Sequence, residues 1–139
     1  MKYKKIIDEF RDVLSERKEI FVSYIYGSVL GSENFEDIDV GLLVDDGFKP
    51  ELMYEVELAA RLEKKIRDTS NISNQVDVRV LNGRSLRFLF SVLKNSKLIS
   101  SKDNSKRIEF EAKVMKQYLD IKPHFEIYDN MRKLRYLDK

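Results

Sequence analysis

The chain has 139 residues, 42% hydrophobic and 36% charged, enough for one domain with a proper core and a heavily charged surface. A formal net charge of +2 is too small to mark nucleic acid as a stably bound partner, and the lack of cysteine excludes disulfides and thiolate metal sites. Acids appear between Met1 and Phe10 before any apolar signal-peptide core forms, and no apolar run approaches the ~20 residues that span a bilayer, so a cytoplasmic protein without membrane contact is expected.

Tyr3, Ile6, Ile7, Phe10, Val13 and Leu14 recur at helical spacing and predict an opening amphipathic helix. The β-branched and aromatic run Ile20 to Tyr26 reads as a buried strand stopped by Gly27. Ser28 to Glu36 form a polar turn, Asp37 to Val44 a second strand, and Asp45-Asp46-Gly47 its solvated end. Pro50 suits the first turn of a helix, with Leu52, Val56, Ala59, Ala60, Leu62 and Ile66 on its buried face. Gln75 to Leu81 make a third strand, and Ser85 is placed to cap a short helix from Leu86 to Leu93. Lys97 to Ser100 read as a short edge strand.

The tail differs in character. Ile108, Phe110, Val114, Met115, Tyr118 and Leu119 give a helical pattern, and Pro123 is expected to bend or interrupt it. From Lys102 to Lys139 ten Lys/Arg stand against seven Asp/Glu, a local excess of +3. Its aromatics, Phe125, Tyr128 and Tyr136, either pack on the domain or meet a partner. His124, the only histidine, has no neighbouring ligands and reads as structural. The expected organisation is a domain from 1 to 101 and a C-terminal helical extension from 102 to 139, packed on that domain or on a partner. The element order describes a small α/β (α+β) sandwich with a mixed sheet, helices covering one face and a site open on the other.

The chemistry rests on three places. Residues two apart in a strand share a face, so Asp37, Asp39 and Gly41 point one way while Ile38, Val40 and Leu42 face the helices. In the third strand Val76, Val78 and Val80 take the core face, and Asp77 and Arg79 the other. If the two strands are neighbours, three carboxylates converge, and they repel unless a cation intervenes. Magnesium is hard, prefers oxygen, and is usually held by one or two carboxylates with substrate phosphates. Two such ions can activate an attacking oxygen and neutralise a leaving pyrophosphate. Gly27 lets the backbone approach a phosphate, to which the Ser28 hydroxyl and nearby N–H groups can donate. Taken alone, Asp-x-Asp is a weak signal and Gly27-Ser28 merely a turn. Asp77 is more telling, because aspartate is depleted from strands and this one interrupts a valine-rich run.

Gly27-Ser28, Asp37-Ile38-Asp39 and Asp77 together resemble the pattern of the minimal nucleotidyltransferase (MNT) branch of the DNA polymerase β-type superfamily. The likeness spans about residues 20 to 100, and the tail resembles the C-terminal extension of MNT antitoxins. It implies that Asp37, Asp39 and Asp77 hold magnesium, with Asp77 also orienting or deprotonating the attacking hydroxyl. Gly27 and Ser28 would hold the β- and γ-phosphates of ATP. It further implies a HEPN-domain ribonuclease toxin as partner, silenced by transfer of AMP onto one of its tyrosines. The eight residues from Val29 to Glu36 make a shorter spacer than most members have. Val29-Leu30-Gly31-Ser32 stands where many carry Ala-Arg-Gly, so the basic residue is missing there and Arg79 is the candidate to supply charge to the nucleotide.

Two rival readings remain: nucleotide transfer to a small molecule or an RNA end, and neutralisation of a toxin by contact alone. The short chain leaves little for a separate acceptor domain, which favours an acceptor presented by a partner protein. Within the tail, Phe125, Tyr128 and Arg132 are expected to dock that partner, the alternative being that they cover the domain's own core.

Overall fold

The computed structural model describes residues 2–137; Met1, Asp138 and Lys139, and the side chains of Lys2, Arg135, Tyr136 and Leu137, lie outside the described residues. Four strands, β1 (Ile20–Tyr26), β2 (Asp37–Val44), β3 (Gln75–Val80) and β4 (Ser96–Ser101), form one sheet in the order β3-β2-β1-β4. β1 runs antiparallel to β2 and β4, whereas β2 and β3 are parallel. The parallel pair needs a crossover, which α2 (Tyr54–Ser70) provides.

Alternation of the strand residues decides what each face packs against. Ile25, Ile38, Val40, Leu42, Val76 and Val78 meet Ile6, Phe10 and Leu14 of α1 (Lys2–Leu14) and Leu58, Leu62 and Ile66 of α2. The helices expected on one face are there. The opposite face is not bare. Val22, Tyr24, Leu43 and Leu81 pack there with Leu89 and Val92 of α3 (Leu86–Lys94) and Val114 of α4 (Asn104–Leu137). That second layer leaves the β2–β3 end of the face open.

Three local expectations are corrected. Pro50 lies in the irregular segment before α2, which begins only at Tyr54. Leu52 is 96% exposed and Val56 58%, while Leu58, absent from the expected face, is fully buried. The helix turns its Leu58–Leu62–Ile66 stripe inward because those long side chains bury more apolar area than Val56 and Ala60 would. Pro123 does not end the tail helix, since α4 continues through it. Contacts on both sides hold the helix in line: Tyr118 stacks on Phe90 at 3.7 Å, and Arg87 binds Asp129 at 2.6 Å.

Both sheet edges are closed by helix side chains. On β3 the Val76 and Val80 amides donate to Glu63 and Glu55 of α2, at 2.9 and 2.7 Å. On β4 the Ile99 carbonyl accepts from Arg11 of α1 at 2.8 Å. Side chains that occupy edge groups remove the template for unwanted strand pairing.

Candidate active site

The site is built where β1 ends beside the start of β2. Gly27 has a φ of +85°, a region glycine enters without strain, and there the chain leaves β1 for a 3-10 turn, Gly27–Leu30. A Cβ at this position would stand 2.6 Å from Oδ2 of Asp39. Only glycine allows the turn to lie against that carboxylate. Asn95, following α3, clasps the same residue, its carbonyl accepting from the Gly27 amide at 3.3 Å and its side-chain amide donating to the Gly27 carbonyl at 3.4 Å. Ser28 is exposed on the turn, while Val29 is buried beneath it and anchors the segment read from the sequence as a polar turn.

Across the sheet the register sets Tyr26 opposite Asp39, and Asp39 opposite Asp77. Three residues from three adjacent strands therefore form a row on one face. Asp37 lies two residues earlier in β2, on the same face and exposed. The structure thus places Asp39 and Asp77 side by side, with Asp37 one pleat repeat away. Among the described residues, no three acidic, histidine or cysteine side chains gather closely enough to hold an ion by themselves.

The electrostatics follow from this crowding. Asp39 is half-buried, and burial first, then Asp77 and Asp37, raise its carboxyl above the usual range, with Arg79 opposing. Burial, followed by the charge of Asp39, pushes the Tyr26 phenol up to about 12. Arg79 donates from Nε to Oδ2 of Asp77 at 3.1 Å and so sits on the β3 side, two strands away from Gly27. An ion pair this exposed, with Arg79 45% and Asp77 48% accessible, is easily rearranged by a ligand. A half-buried carboxylate crowded by two others, beside hard oxygen donors, fits a divalent cation completed by substrate phosphates.

Sequence reasoning read Tyr26 only as the last residue of a buried strand and passed over Asn95. The strand register puts Tyr26 in the carboxylate row, and only the closure of α3 onto the turn reveals Asn95. In the tail, Phe125 packs toward α3, with the Arg87 guanidinium 4.6 Å above its ring and Tyr118 at 5.9 Å. Tyr128 is 57% exposed and carries Arg132 over its ring at 5.9 Å. His124 is exposed.

Among solved structures, a protein from Shewanella oneidensis is similar at 25% identity, covering 91% of this chain and 98% of its own, with a TM-score of 0.63. A chain of the tri-AMPylated Shewanella oneidensis HEPN toxin in complex with MNT antitoxin matches at 20% identity and a TM-score of 0.59, over 88% of this chain and 96% of that one. A toxin-antitoxin structure with AMP-PNP matches at 24% identity and a TM-score of 0.63, over 94% and 99%. The last two likenesses concern the fold. Among curated proteins none matches the chain. The family model described as "Polymerase beta, Nucleotidyltransferase" matches residues 8–105, which takes in the whole sheet and every residue of the carboxylate row, and this chain belongs to that nucleotidyltransferase family.

Proposed function

We propose that the protein is a magnesium-dependent adenylyltransferase that moves AMP from ATP to a tyrosine of a HEPN-family toxin, acting in the cytoplasm as its antitoxin. The observation that carries this reading is the row in which Asp39 faces Asp77 across parallel strands while Gly27 turns against the Asp39 carboxylate. The solved toxin–antitoxin structures of the same fold support the choice of partner, and AMP-PNP in one of them supports the choice of nucleotide.

In this mechanism Asp37, Asp39 and Asp77 hold magnesium, in the usual case as two ions. The bound metal supplies charge neutralisation for the attacking oxygen and for the leaving pyrophosphate. Gly27 and Ser28 hold the β- and γ-phosphates through backbone N–H groups and the exposed hydroxyl. Arg79 adds positive charge to the nucleotide site from the β3 side. The acceptor oxygen attacks the α-phosphorus in line, the bond to the bridging oxygen breaks, and pyrophosphate leaves on the Gly27 side. Asp77 accepts the proton on the oxygen that Arg79 does not occupy. We assign residues 1–101 to this chemistry and 102–139 to an extension that also meets the toxin.

Incubation of the chain with its cognate toxin, magnesium and α-labelled ATP tests the reading. Label should appear on toxin tyrosine, with many toxin molecules modified per antitoxin. Strictly stoichiometric neutralisation, untouched by Asp37→Ala with Asp39→Ala, would overturn it in favour of contact alone.

A further inference from the structure

The closure of the β3 edge by α2 has one gap. Glu55 and Glu63 accept the Val80 and Val76 amides, and the two spans match: eight residues of helix rise about 12 Å, four residues of strand about 13 Å. Ala59 lies midway between the glutamates on the same face of α2, just as Val78 lies midway between the two amides. The Val78 amide and carbonyl point the same way as the Val76 and Val80 amides, away from β2, and β3 is the outermost strand. A methyl group can neither accept nor donate, and among the described residues neither main-chain group of Val78 has a partner. A cavity of about 320 Å³ opens at this place, lined in part by Val56, Ala59 and Ala60 of α2 and by Asp77 and Val78 of β3. Val56 gives it an apolar rim that is 58% exposed.

Two features indicate what fills it. An unpaired main-chain donor beside an unpaired acceptor matches one residue of an extended polypeptide, which in antiparallel register exchanges both bonds with Val78. The glutamates already occupy the positions on either side, so the gap admits that one residue and not a longer ladder. The cavity also shares Asp77 with the carboxylate row. Side chains alternate across a strand, so the bridging residue turns its own side chain toward Val56 and Ala60. Its neighbour then projects onto the face that carries Asp77.

We propose that the β3 edge at Val78 is a docking edge for an extended segment of the acceptor protein. One residue of the segment bridges Val78, and the acceptor tyrosine next to it is set beside Asp77. This rests on the adenylyltransferase reading above.

Amide hydrogen exchange of the full chain, followed residue by residue by NMR with and without its cognate toxin, tests the edge without ATP. In the free chain the Val78 amide should exchange at least about 10-fold faster than the amides of Val76 and Val80, which are bonded. With toxin bound it should slow by at least about 10-fold. Ala59→Glu places a third carboxylate at the helical spacing of the other two, where it accepts from Val78 and closes the gap. Ala59→Gln closes it without added charge. In labelled-ATP assays both should raise the KM for toxin about 10-fold, the scale of two main-chain hydrogen bonds, while magnesium-ATP affinity changes by less than about 2-fold. Thermal unfolding verifies that the variants are folded, and exchange in the unsubstituted chain keeps the test open if they are not. A Val78 amide as slow as its neighbours in the free chain, or one that bound toxin leaves unchanged, would overturn the docking edge alone. So would an unaltered toxin KM in both folded variants. Failure of the unsubstituted chain to label the toxin would bring down the parent reading and, with it, the assignment of an acceptor to this edge.

Discussion

On the face covered by α1 and α2, the strands present chiefly apolar side chains, among them Ile25, Ile38, Val40, Leu42, Val76 and Val78. On the other face the same strands carry Tyr26, Asp37, Asp39, Asp77 and Arg79 toward one end, and an apolar patch under α3 and α4 toward the other. The first face is a continuous core, so each residue there contributes by exclusion of water. The second holds carboxylates that repel one another, and its arrangement costs stability that the first face must cover. Stability and chemistry are thus separated by the pleat of three strands, and substitutions on the two faces should fail in different ways.

The largest effect is expected on the core face. Phe10, fully buried against the sheet, should lose about 3–5 kcal/mol on Phe10→Ala, from lost transfer energy and the cavity left behind. Denaturant unfolding measures this, and transfer activity per folded molecule should not change. A folded variant with impaired chemistry would show that the faces are not independent.

Asp39→Asn should do the reverse. Activity should fall at least ~10²-fold, the scale of removing a key electrostatic group. The melting temperature should rise at neutral pH. The sign follows from linkage: the Asp39 carboxyl is raised in the folded protein, by burial first and then by Asp77 and Asp37. The unfolded chain therefore gives up this proton more readily, and ionisation destabilises the fold as pH climbs from the ordinary carboxylate range through the raised value. Below that window the variant and the parent should melt together, and calorimetry across pH 3 to 7 checks both ends. A lower melting temperature at neutral pH would mean that the carboxylate is structurally required.

Gly27→Ala touches both faces of the comparison. Alanine at a φ of +85° costs about 1–2 kcal/mol, and its Cβ would displace the Asp39 carboxylate it meets at 2.6 Å. Moderate destabilisation together with a transfer defect is expected, read from unfolding curves and labelled-ATP assays on the same preparation.

The contrast between the faces also explains what was legible in the sequence. Strand alternation exposed the core face at once, and the aspartates stood out because they broke apolar runs at Asp39 and Asp77. The register that sets Asp39 against Asp77 arises from the parallel pairing of β2 and β3, and no local signal carries it. The Asn95 clasp on Gly27 comes from the end of α3 meeting the turn after β1, a contact between segments far apart in the chain. The phase of α2 was misread because Leu52, Val56 and Ala60 mimic an apolar stripe, while Leu58 shares the turn with them and wins by size. Pro123 was overweighted for a similar reason. Its local cost is real, but the Tyr118 stack and the Arg87–Asp129 pair lie in tertiary structure on either side of it.

The smallest effect is expected where the second face is polar yet not part of the chemistry. Tyr24 is buried, two residues before Tyr26, and its hydroxyl donates to Oε2 of Glu111 at 2.7 Å, tying β1 to α4. Glu111 is held at the same time by Arg107 at 3.1 Å, so Tyr24→Phe removes one hydrogen bond without orphaning a charge. The loss should be about 0.5–1.5 kcal/mol, the net worth of such a bond, with transfer activity unaffected. Burial first, then the bond to Glu111, raises the Tyr24 phenol above its ordinary 10.0. The stability it contributes is therefore fully present below pH 10 and declines only above it, so the difference between Tyr24→Phe and the parent should stay constant from pH 6 to 9. A loss well above that scale would mean that α4 is bound to the sheet chiefly through this contact, rather than through Val114 and the Phe90–Tyr118 stack.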